Sequence, residues 1–227
     1  MNPQFYKDSD GLFRCPEFDR WRWLRHGFGT RDSVPYYAAH TVTTLRQIHS
    51  NLVFDAHDLE DRSREGDALI THQPGKRIGV RTADCVPIIM VDPVTRSAAA
   101  IHAGWRGTVA RIAARAVDAL AWKFSADAAN LSIALGPSIR VCCYEVGADV
   151  AAQFRSILPE STESDGPRNI DLIEANRRII IDAGVPAKHI YDSGLCTFCM
   201  PQEFFSYRRD PNDPGRLLSF VEITTES

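Results

Sequence analysis

Three observations predict an α/β protein. Residues 86–91 and 96–101 are apolar runs of strand length, and the Asp92-Pro93-Val94-Thr95 segment between them has the composition of a turn. An amphipathic helix follows, because apolar residues recur at three- and four-residue spacing from Val109 to Phe124. The rest of the chain alternates short β-prone runs with further helical patterns. We therefore expect a central hairpin in a sheet, with the helix lying across it.

The other elements are predicted in chain order from the same signals. Residues 1–22 give weak signals. The β-prone runs before the hairpin are residues 41–48, 51–54, 68–71 and 78–82. After the first helix, the strand-like runs are residues 131–135, 189–192, 204–208 and 217–223, and the helical patterns are residues 146–157 and 171–183. A polar loop is predicted at 159–168 and a turn at 211–215.

The hairpin turn has a consequence for two reactive side chains. If Val91 pairs with Arg96, then Cys85 at the start of the first strand falls opposite His102 at the end of the second. Opposite residues share a face, with Cβ atoms about 5 Å apart. A thiolate and an imidazole at that distance can share a metal ion or a proton. A buried thiol and a satisfied structural histidine are the competing interpretation, but the glycines that follow His102 favour a binding site.

The predicted helix adds an electrostatic element to this pair. It is expected to begin near Thr108, just beyond His102. The free N–H groups and the dipole at a helix N-terminus favour a bound anion. The sequence therefore predicts an anion near the Cys85–His102 pair, with phosphate as the obvious candidate.

Composition narrows the class of protein. The 227 residues are 44% hydrophobic and 24% charged, with a formal charge of -3, which is ordinary for a globular protein. No basic block is flanked by aromatic residues, so a nucleic acid is not an expected partner. The N-terminus has no apolar signal region and no apolar run approaches 18 residues, so we expect a cytoplasmic protein without a membrane span. Six cysteines are too sparse for a disulfide scaffold and are expected to be thiols or metal ligands.

Several motifs carry a resemblance to a known family. In chain order they are RQIHS, GDALIT, TADCVP, AIHAGWRGT, ALGPSIRVCCYEVG, YDSGLCT, FFSYRRD and GRLLSFV. Together they resemble the YfiH or laccase-domain family and span residues 26–221. Members were once labelled multicopper polyphenol oxidases and are now associated with zinc-dependent purine nucleoside phosphorylase and adenosine deaminase activities. The resemblance implies one domain over residues 1–227, with a four-layer α/β/β/α fold of mixed sheets similar to the catalytic domain of cytotoxic necrotizing factor.

The resemblance also assigns residues to the site. The family's metal ligands fall on His49, Cys85 and His102, with Zn²⁺ as the expected metal and Cu²⁺ as the less favoured one. One thiolate and two imidazoles leave the fourth tetrahedral position open, as in catalytic zinc sites. The expected substrate-binding residues are Arg46, Asp84, Arg106, Arg208 and Arg209, with Tyr207 beside the last two. For each arginine, a surface ion pair is the competing interpretation.

The implied reaction is phosphorolysis of adenosine, inosine or methylthioadenosine to the free base and ribose 1-phosphate, with deamination of adenosine as a second activity. A laccase requires about ten histidine ligands, many in H-x-H arrangements, whereas this chain has seven histidines and no H-x-H. Two alternatives remain open. One is a cysteine hydrolase or amidase acting on cell-wall precursors through Cys85 and His102. The other is a non-enzymatic metal-binding protein.

Two features depart from the pattern or lie outside it. Only 14 residues separate Arg31 from Arg46, where many members carry a longer insertion, so the pocket wall there is undefined. The C-x-x-C element formed by Cys196 and Cys199 suits zinc or redox chemistry. Cys142 and Cys143 could complete a site with it, but no second C-x-x-C is present, and the sequence disfavours a second metal site.

Overall fold

The computed structural model describes residues 4–161, 168–212 and 215–225. The strands are β1 (Tyr6–Lys7), β2 (Phe13–Arg14), β3 (Leu24–Phe28), β4 (Val53–Asp55), β5 (Ala68–Thr71), β6 (Arg77–Thr82), β7 (Val86–Asp92), β8 (Ser97–Ala103), β9 (Ser132–Leu135), β10 (Glu145–Val146), β11 (Arg168–Asn169), β12 (Ile190–Asp192) and β13 (Leu217–Ile223). The α-helices are α1 (Val34–Ala39), α2 (Trp105–Val109), α3 (Ile112–Phe124), α4 (Ala148–Gln153) and α5 (Leu172–Asp182). The mixed α/β class predicted from the sequence is confirmed.

The hairpin β7–β8 occupies the middle of a six-stranded mixed sheet with the order β12-β9-β7-β8-β5-β4. Every residue of β7 and β8 is buried. Burial on both faces explains why these strands read as continuous apolar runs rather than as alternating ones.

A second sheet, with the order β1-β2-β3-β13-β6, packs against one face of the first. The core between them joins Phe28 and Val221 of the second sheet to Ile89 and Ala100 of the first. Helices α3 and α5 cover the opposite face of the six-stranded sheet, through residues such as Ile112. The two tyrosines of α1 pack on the outer side of the second sheet. The layers are therefore stacked in the order helix, sheet, sheet, helix.

The register of the hairpin differs from the predicted one by two residues. Asp92 pairs with Ser97 and Pro87 with His102, so the loop is residues 93–96 rather than 92–95. The Asp92 carboxylate accepts hydrogen bonds from the Val94 N–H (2.8 Å) and the Thr95 hydroxyl (3.0 Å), which holds the turn together. A two-residue shift preserves the alternation of faces, so Cys85 and His102 remain neighbours although they are not directly opposite.

The predicted helix from Thr108 is divided in two. Helix α2 begins at Trp105 and ends at Val109. Arg111, whose φ of 59° is left-handed, interrupts the helical backbone before α3 begins at Ile112. The helix beside the candidate site is thus five residues long, too short for a substantial dipole. The prediction of an anion site at the start of a long helix is not supported.

Other predicted elements are altered at their ends. Residues 41–48 form only isolated bridges, Thr43 with Ile78 and Arg46 with Glu65, rather than a strand. Residues 204–208 form no strand, whereas strand 217–223 is confirmed. Parts of the predicted loop 159–168, the turn 211–215 and the N-terminal segment lie outside the described residues. Within the described part of the chain, no helix combines the length and apolar character needed to cross a bilayer.

Candidate metal centre and its cleft

Three predicted ligands meet at one end of the central hairpin. His102 lies near the end of β8, Cys85 directly precedes β7, and His49 lies in the connection before β4. One ligand atom from each lies within 4.8 Å of the other two, and the two imidazole centroids are 4.8 Å apart. His102 is buried while His49 is exposed. The trio therefore has a buried side and a side that faces solvent, and it could hold a metal ion.

Asp67, which directly precedes β5, organises two members of the trio. Its carboxylate is completely buried and lies 2.7 Å from Nδ1 of His102. It also accepts hydrogen bonds from the backbone N–H groups of His49 (3.0 Å) and Ser50 (2.6 Å). Because Nδ1 of His102 is engaged, Nε2 is left for a metal, the arrangement that commonly orients histidine ligands. Sequence reasoning missed Asp67, although a carboxylate directly before a buried strand was a usable signal.

The ionisable groups make this end of the sheet attractive to a cation. Burial alone would lower the pKa of His102, but the Cys85 thiolate and the Asp67 carboxylate raise it to about 9. Burial and the neighbouring His102 lower the pKa of His49. Burial would raise the pKa of Asp67, yet hydrogen bonds from His102 and Ser50 hold it below its ordinary value. The negative charges of Cys85 and Asp67, which favour a protonated His102, would also attract a metal cation.

The space around the trio supports the same interpretation. A Cβ placed on Gly104 would lie 2.8 Å from Nδ1 of His49 and 2.9 Å from Sγ of Cys85. The φ of Gly104 is an ordinary -75°, so the backbone conformation does not demand glycine. Glycine is required because the side chains of His49 and Cys85 leave no room for a Cβ. His49 itself has a φ of 60°, and Asp84, next to Cys85, has a φ of 87°. Left-handed backbone at non-glycine residues costs free energy and tends to occur at functional sites.

We expect Gly104→Ala to lower metal affinity at least tenfold, because the added methyl group displaces His49 or Cys85 from the shared position. Gly147→Ala is a matched control. Gly147 also precedes a short helix, with a similar φ of -67°, and among the described residues the Asp149 side chain alone would lie within 3.0 Å of its Cβ. Competition with a chromogenic zinc chelator measures the affinity. Equal zinc affinity in the Gly104 variant and the control would contradict the role given to Gly104.

The trio opens into a cleft of about 700 Å³. Five arginines are among the residues that line it: Arg62, Arg81, Arg106, Arg208 and Arg216. Among the described lining residues, Asp84 is the one carboxylate. Nε of Arg81 is buried and has no hydrogen-bond partner among the residues that the structure describes. This excess of positive charge suits an anionic ligand, and the volume suits a small molecule.

The structure brings some of the predicted substrate residues to the cleft and leaves others outside. Asp84, Arg106, Tyr207 and Arg208 line it, whereas Arg46 and Arg209 are not among the lining residues. Leu45 and Gln47 line the cleft instead of Arg46, because neighbouring residues of extended backbone point to opposite sides. The guanidinium of Arg209 donates to the carbonyl oxygens of Thr197 (2.9 Å), Phe198 (3.0 Å) and Phe204 (2.7 Å). Its contacts are those of a residue that holds a loop.

Asp84 has a similar supporting arrangement. It is buried, and its carboxylate accepts hydrogen bonds from the hydroxyl groups of Thr197 (2.6 Å) and Ser206 (3.0 Å) and from the N–H of Arg208 (2.7 Å). These contacts tie the segment that carries Tyr207 and Arg208 to the residue next to Cys85. Sequence reasoning missed Arg62, Arg81 and Arg216. Arg62 and Arg81 lie outside the motifs that carry the resemblance, and Arg216 lies within GRLLSFV but was not singled out there.

Comparison with known proteins shows the family to which the chain belongs. The family described as multi-copper polyphenol oxidoreductase laccase matches residues 31–224. An adenosine deaminase, RL5, from an unknown prokaryotic organism is 40% identical over 78% of this chain and 72% of its own. A purine nucleoside phosphorylase of Deinococcus radiodurans is 39% identical over 82% of this chain and 72% of its own.

Solved structures agree with the sequence comparisons. The hypothetical protein YfiH of Bacillus licheniformis is 27% identical and superposes with a TM-score of 0.87, covering 99% of this chain and all of that one. YlmD of Geobacillus stearothermophilus is 30% identical, with a TM-score of 0.85 over 97% of this chain and 99% of that one. The chain therefore belongs to the multi-copper polyphenol oxidoreductase laccase family, whose relatives include proteins named purine nucleoside phosphorylase and adenosine deaminase.

Proposed function

We propose that this chain, as one domain, is a zinc-dependent purine nucleoside phosphorylase that also deaminates adenosine. The observation that carries the proposal is the opening of the Cys85–His102–His49 trio into a cleft lined by arginines. The names of the relatives support purine nucleosides and phosphate as substrates. Adenosine, inosine and methylthioadenosine are the expected nucleosides.

Phosphate is the anionic substrate of this reaction, and the cleft offers preoriented cations to hold it. The Arg106 guanidinium lies 4.2 Å from the centroid of the Trp105 ring, and that of Arg208 lies 5.3 Å from the Tyr144 ring. Stacking on aromatic rings fixes the planes of both groups, which favours bidentate contacts with phosphate oxygens. The buried Nε of Arg81 has a donor to offer the same anion.

The nucleoside would occupy the remaining part of the cleft. Leu45, Ile139 and Tyr144 line it with apolar surface against which a purine ring can pack. Burial raises the pKa of Tyr144 to about 12, so its hydroxyl remains a neutral donor at physiological pH. When the glycosidic bond breaks, negative charge develops on the departing base, and the surrounding guanidinium groups stabilise that charge.

His49, Cys85 and His102 would hold the metal, with Asp67 orienting His102. Zn²⁺ bound there would supply a Lewis acid that also activates water for deamination at C6 of adenine. A thiolate with two imidazoles suits both zinc and copper by donor type. The chain's seven histidines fall short of the roughly ten that a laccase copper set needs. We therefore infer zinc and no laccase chemistry.

The decisive experiment incubates the purified zinc-loaded protein with inosine, with and without phosphate. We expect hypoxanthine and ribose 1-phosphate to form only when phosphate is present, because phosphate is the attacking group. Adenosine should also yield inosine without phosphate. Chromatography with mass detection identifies each product. The absence of any phosphate-dependent product from inosine, adenosine and methylthioadenosine would overturn the assignment.

A cysteine hydrolase is the second candidate, and one geometric feature favours it. Cys85, His102 and Asp67 form the series of thiol, imidazole and carboxylate that serves as nucleophile, base and orienting group in cysteine enzymes. The expected similarity to the catalytic domain of cytotoxic necrotizing factor favours this alternative. Its substrates would be amides of cell-wall precursors. His49 separates the candidates, because a cysteine nucleophile does not require a second imidazole. If the protein bound stoichiometric zinc but turned over neither nucleosides nor amides, the result would favour a non-enzymatic metal-binding protein.

A further inference from the structure

Four cysteines outside the cleft lie together in the structure. They come from two segments far apart in sequence, one carrying Cys142 and Cys143 and the other Cys196 and Cys199. One sulfur from each lies within 4.8 Å of the others, and all four are free thiols. The sequence disfavoured a site here because only one C-x-x-C is present, whereas the fold supplies the other pair from a tight turn.

Four of the six distances between the sulfurs are 3.3–3.9 Å, around the value for a metal tetrahedron. Sγ of Cys143 lies 3.3 Å from that of Cys199, and Sγ of Cys142 lies 3.5 Å from Cys143, 3.8 Å from Cys199 and 3.9 Å from Cys196. A tetrahedral zinc with Zn–S bonds of about 2.3 Å requires sulfurs about 3.8 Å apart. A disulfide would instead bring two sulfurs to about 2.05 Å. Cys142 has three sulfur neighbours at similar distances, as expected of one corner of a tetrahedron.

The backbone holds the two cysteine segments in place. Ser138 forms an isolated parallel bridge with Cys196, and the Thr197 N–H donates to the Ser138 carbonyl at 3.0 Å. The turn that carries Cys142 and Cys143 is closed by the Cys143 N–H, which donates to the Arg140 carbonyl at 2.9 Å. Both segments are thus fixed before any metal is considered, which lowers the entropy lost on binding.

The environment of Cys196 suits a thiolate ligand. This residue is buried, and the backbone N–H groups of Cys199, Arg140 and Phe198 donate to its sulfur. Backbone donors of this kind support the negative charge that a metal-bound thiolate retains.

We propose that Cys142, Cys143, Cys196 and Cys199 form a second, structural zinc site. With four thiolates the coordination shell is closed, so this metal has no position for substrate and serves to stabilise the fold. The site joins two segments that build the cleft: Tyr144, which lines it, follows Cys143, and Thr197, which donates to Asp84, follows Cys196. Its stabilising effect would therefore reach the wall of the cleft.

The test begins with the metal content of protein purified under reducing conditions. We expect about two zinc ions per chain in the unmodified protein and about one in Cys85→Ala, which leaves only the four-cysteine site. Cobalt titration of Cys85→Ala should give the intense visible and near-ultraviolet absorption of a tetrahedral thiolate complex. That absorption should be absent in Cys85→Ala combined with Cys196→Ser. Both readouts are independent of catalytic activity.

Differential alkylation of the unmodified protein keeps the test informative if a variant fails to fold. Bound zinc should protect Cys142, Cys143, Cys196 and Cys199 from alkylation until a strong chelator is added. One zinc per chain together with rapid alkylation of all four cysteines in the zinc-loaded protein would overturn the proposal. A disulfide among them in the protein as purified, detected as a mass lower by two hydrogens, would also overturn it, as would iron in place of zinc.

Discussion

Replacing His49 with alanine is expected to abolish stoichiometric zinc binding at the trio and to lower nucleoside phosphorolysis at least about a thousandfold. The reason is that Cys85 and His102 alone provide two ligands, whereas catalytic zinc sites use three from the protein. A metal commonly contributes several kcal/mol to transition-state stabilisation, which corresponds to a loss of this size. Metal analysis and steady-state rates with inosine and phosphate measure the two effects. The four-cysteine site should keep its zinc.

The control is His57→Ala. His57 is an exposed histidine that pairs with Asp58, and we expect zinc content and turnover to remain at the level of the unmodified protein. Chelation should inhibit the unmodified enzyme, and zinc should protect Cys85 from alkylation. A His49→Ala protein that retains activity, together with rapid alkylation of Cys85 and full turnover after chelation, would favour the cysteine hydrolase instead.

The central hairpin was predictable because its information is local. Two apolar runs and a turn sufficed to place β7 and β8, but not to fix their register. The composition predicted residues 92–95 as the turn, whereas the observed turn is residues 93–96. The observed choice depends on the Asp92 side chain, which belongs to the strand and accepts hydrogen bonds from the turn. A side chain that caps a turn from within a strand is not visible in apolar patterning.

The break between α2 and α3 was hidden for a related reason. Apolar spacing continues through Arg111, yet this residue adopts a left-handed conformation that ends one helix before the next begins. Neither glycine nor proline marks the position. The helical pattern therefore predicted the buried face of α3 correctly. It did not support the predicted anion site, because that site required one long helix starting near Thr108.

The candidate site was likewise predictable only where its residues belong to local motifs. The three ligands are carried by motifs, whereas the cationic surroundings depend on the tertiary fold. Arg62, Arg81 and Arg216 reach the cleft from separate elements, and no local signal joins them. The four cysteines show the same effect, because their grouping requires two connections that are distant in sequence to pack side by side.

Asp67→Asn is expected to weaken zinc binding at the trio about tenfold to a hundredfold, the usual cost of removing a partner of a ligating histidine. The buried carboxylate fixes the ring of His102 and the backbone of His49 at once, and an amide supplies one acceptor where two oxygens are used. Asp92→Asn is the matched control. Asp92 is equally buried and supports the far end of the same hairpin, so its loss should lower stability without changing zinc affinity.

The metal-free proteins give an independent, pH-dependent readout of the same contact. The pKa of Asp67 is lowered in the folded state, so its contribution to stability is present above its ordinary value of 3.8 and is lost as pH falls through the folded pKa. The pKa of His102 is raised from 6.5 to about 9, so its contribution is complete below 6.5 and is lost as pH rises toward 9. We therefore expect the stability difference between the unmodified protein and Asp67→Asn to be largest between about pH 4 and 6.5. Denaturant unfolding across this range measures it, and a difference that does not vary with pH would mean that Asp67 and His102 are not coupled through charge.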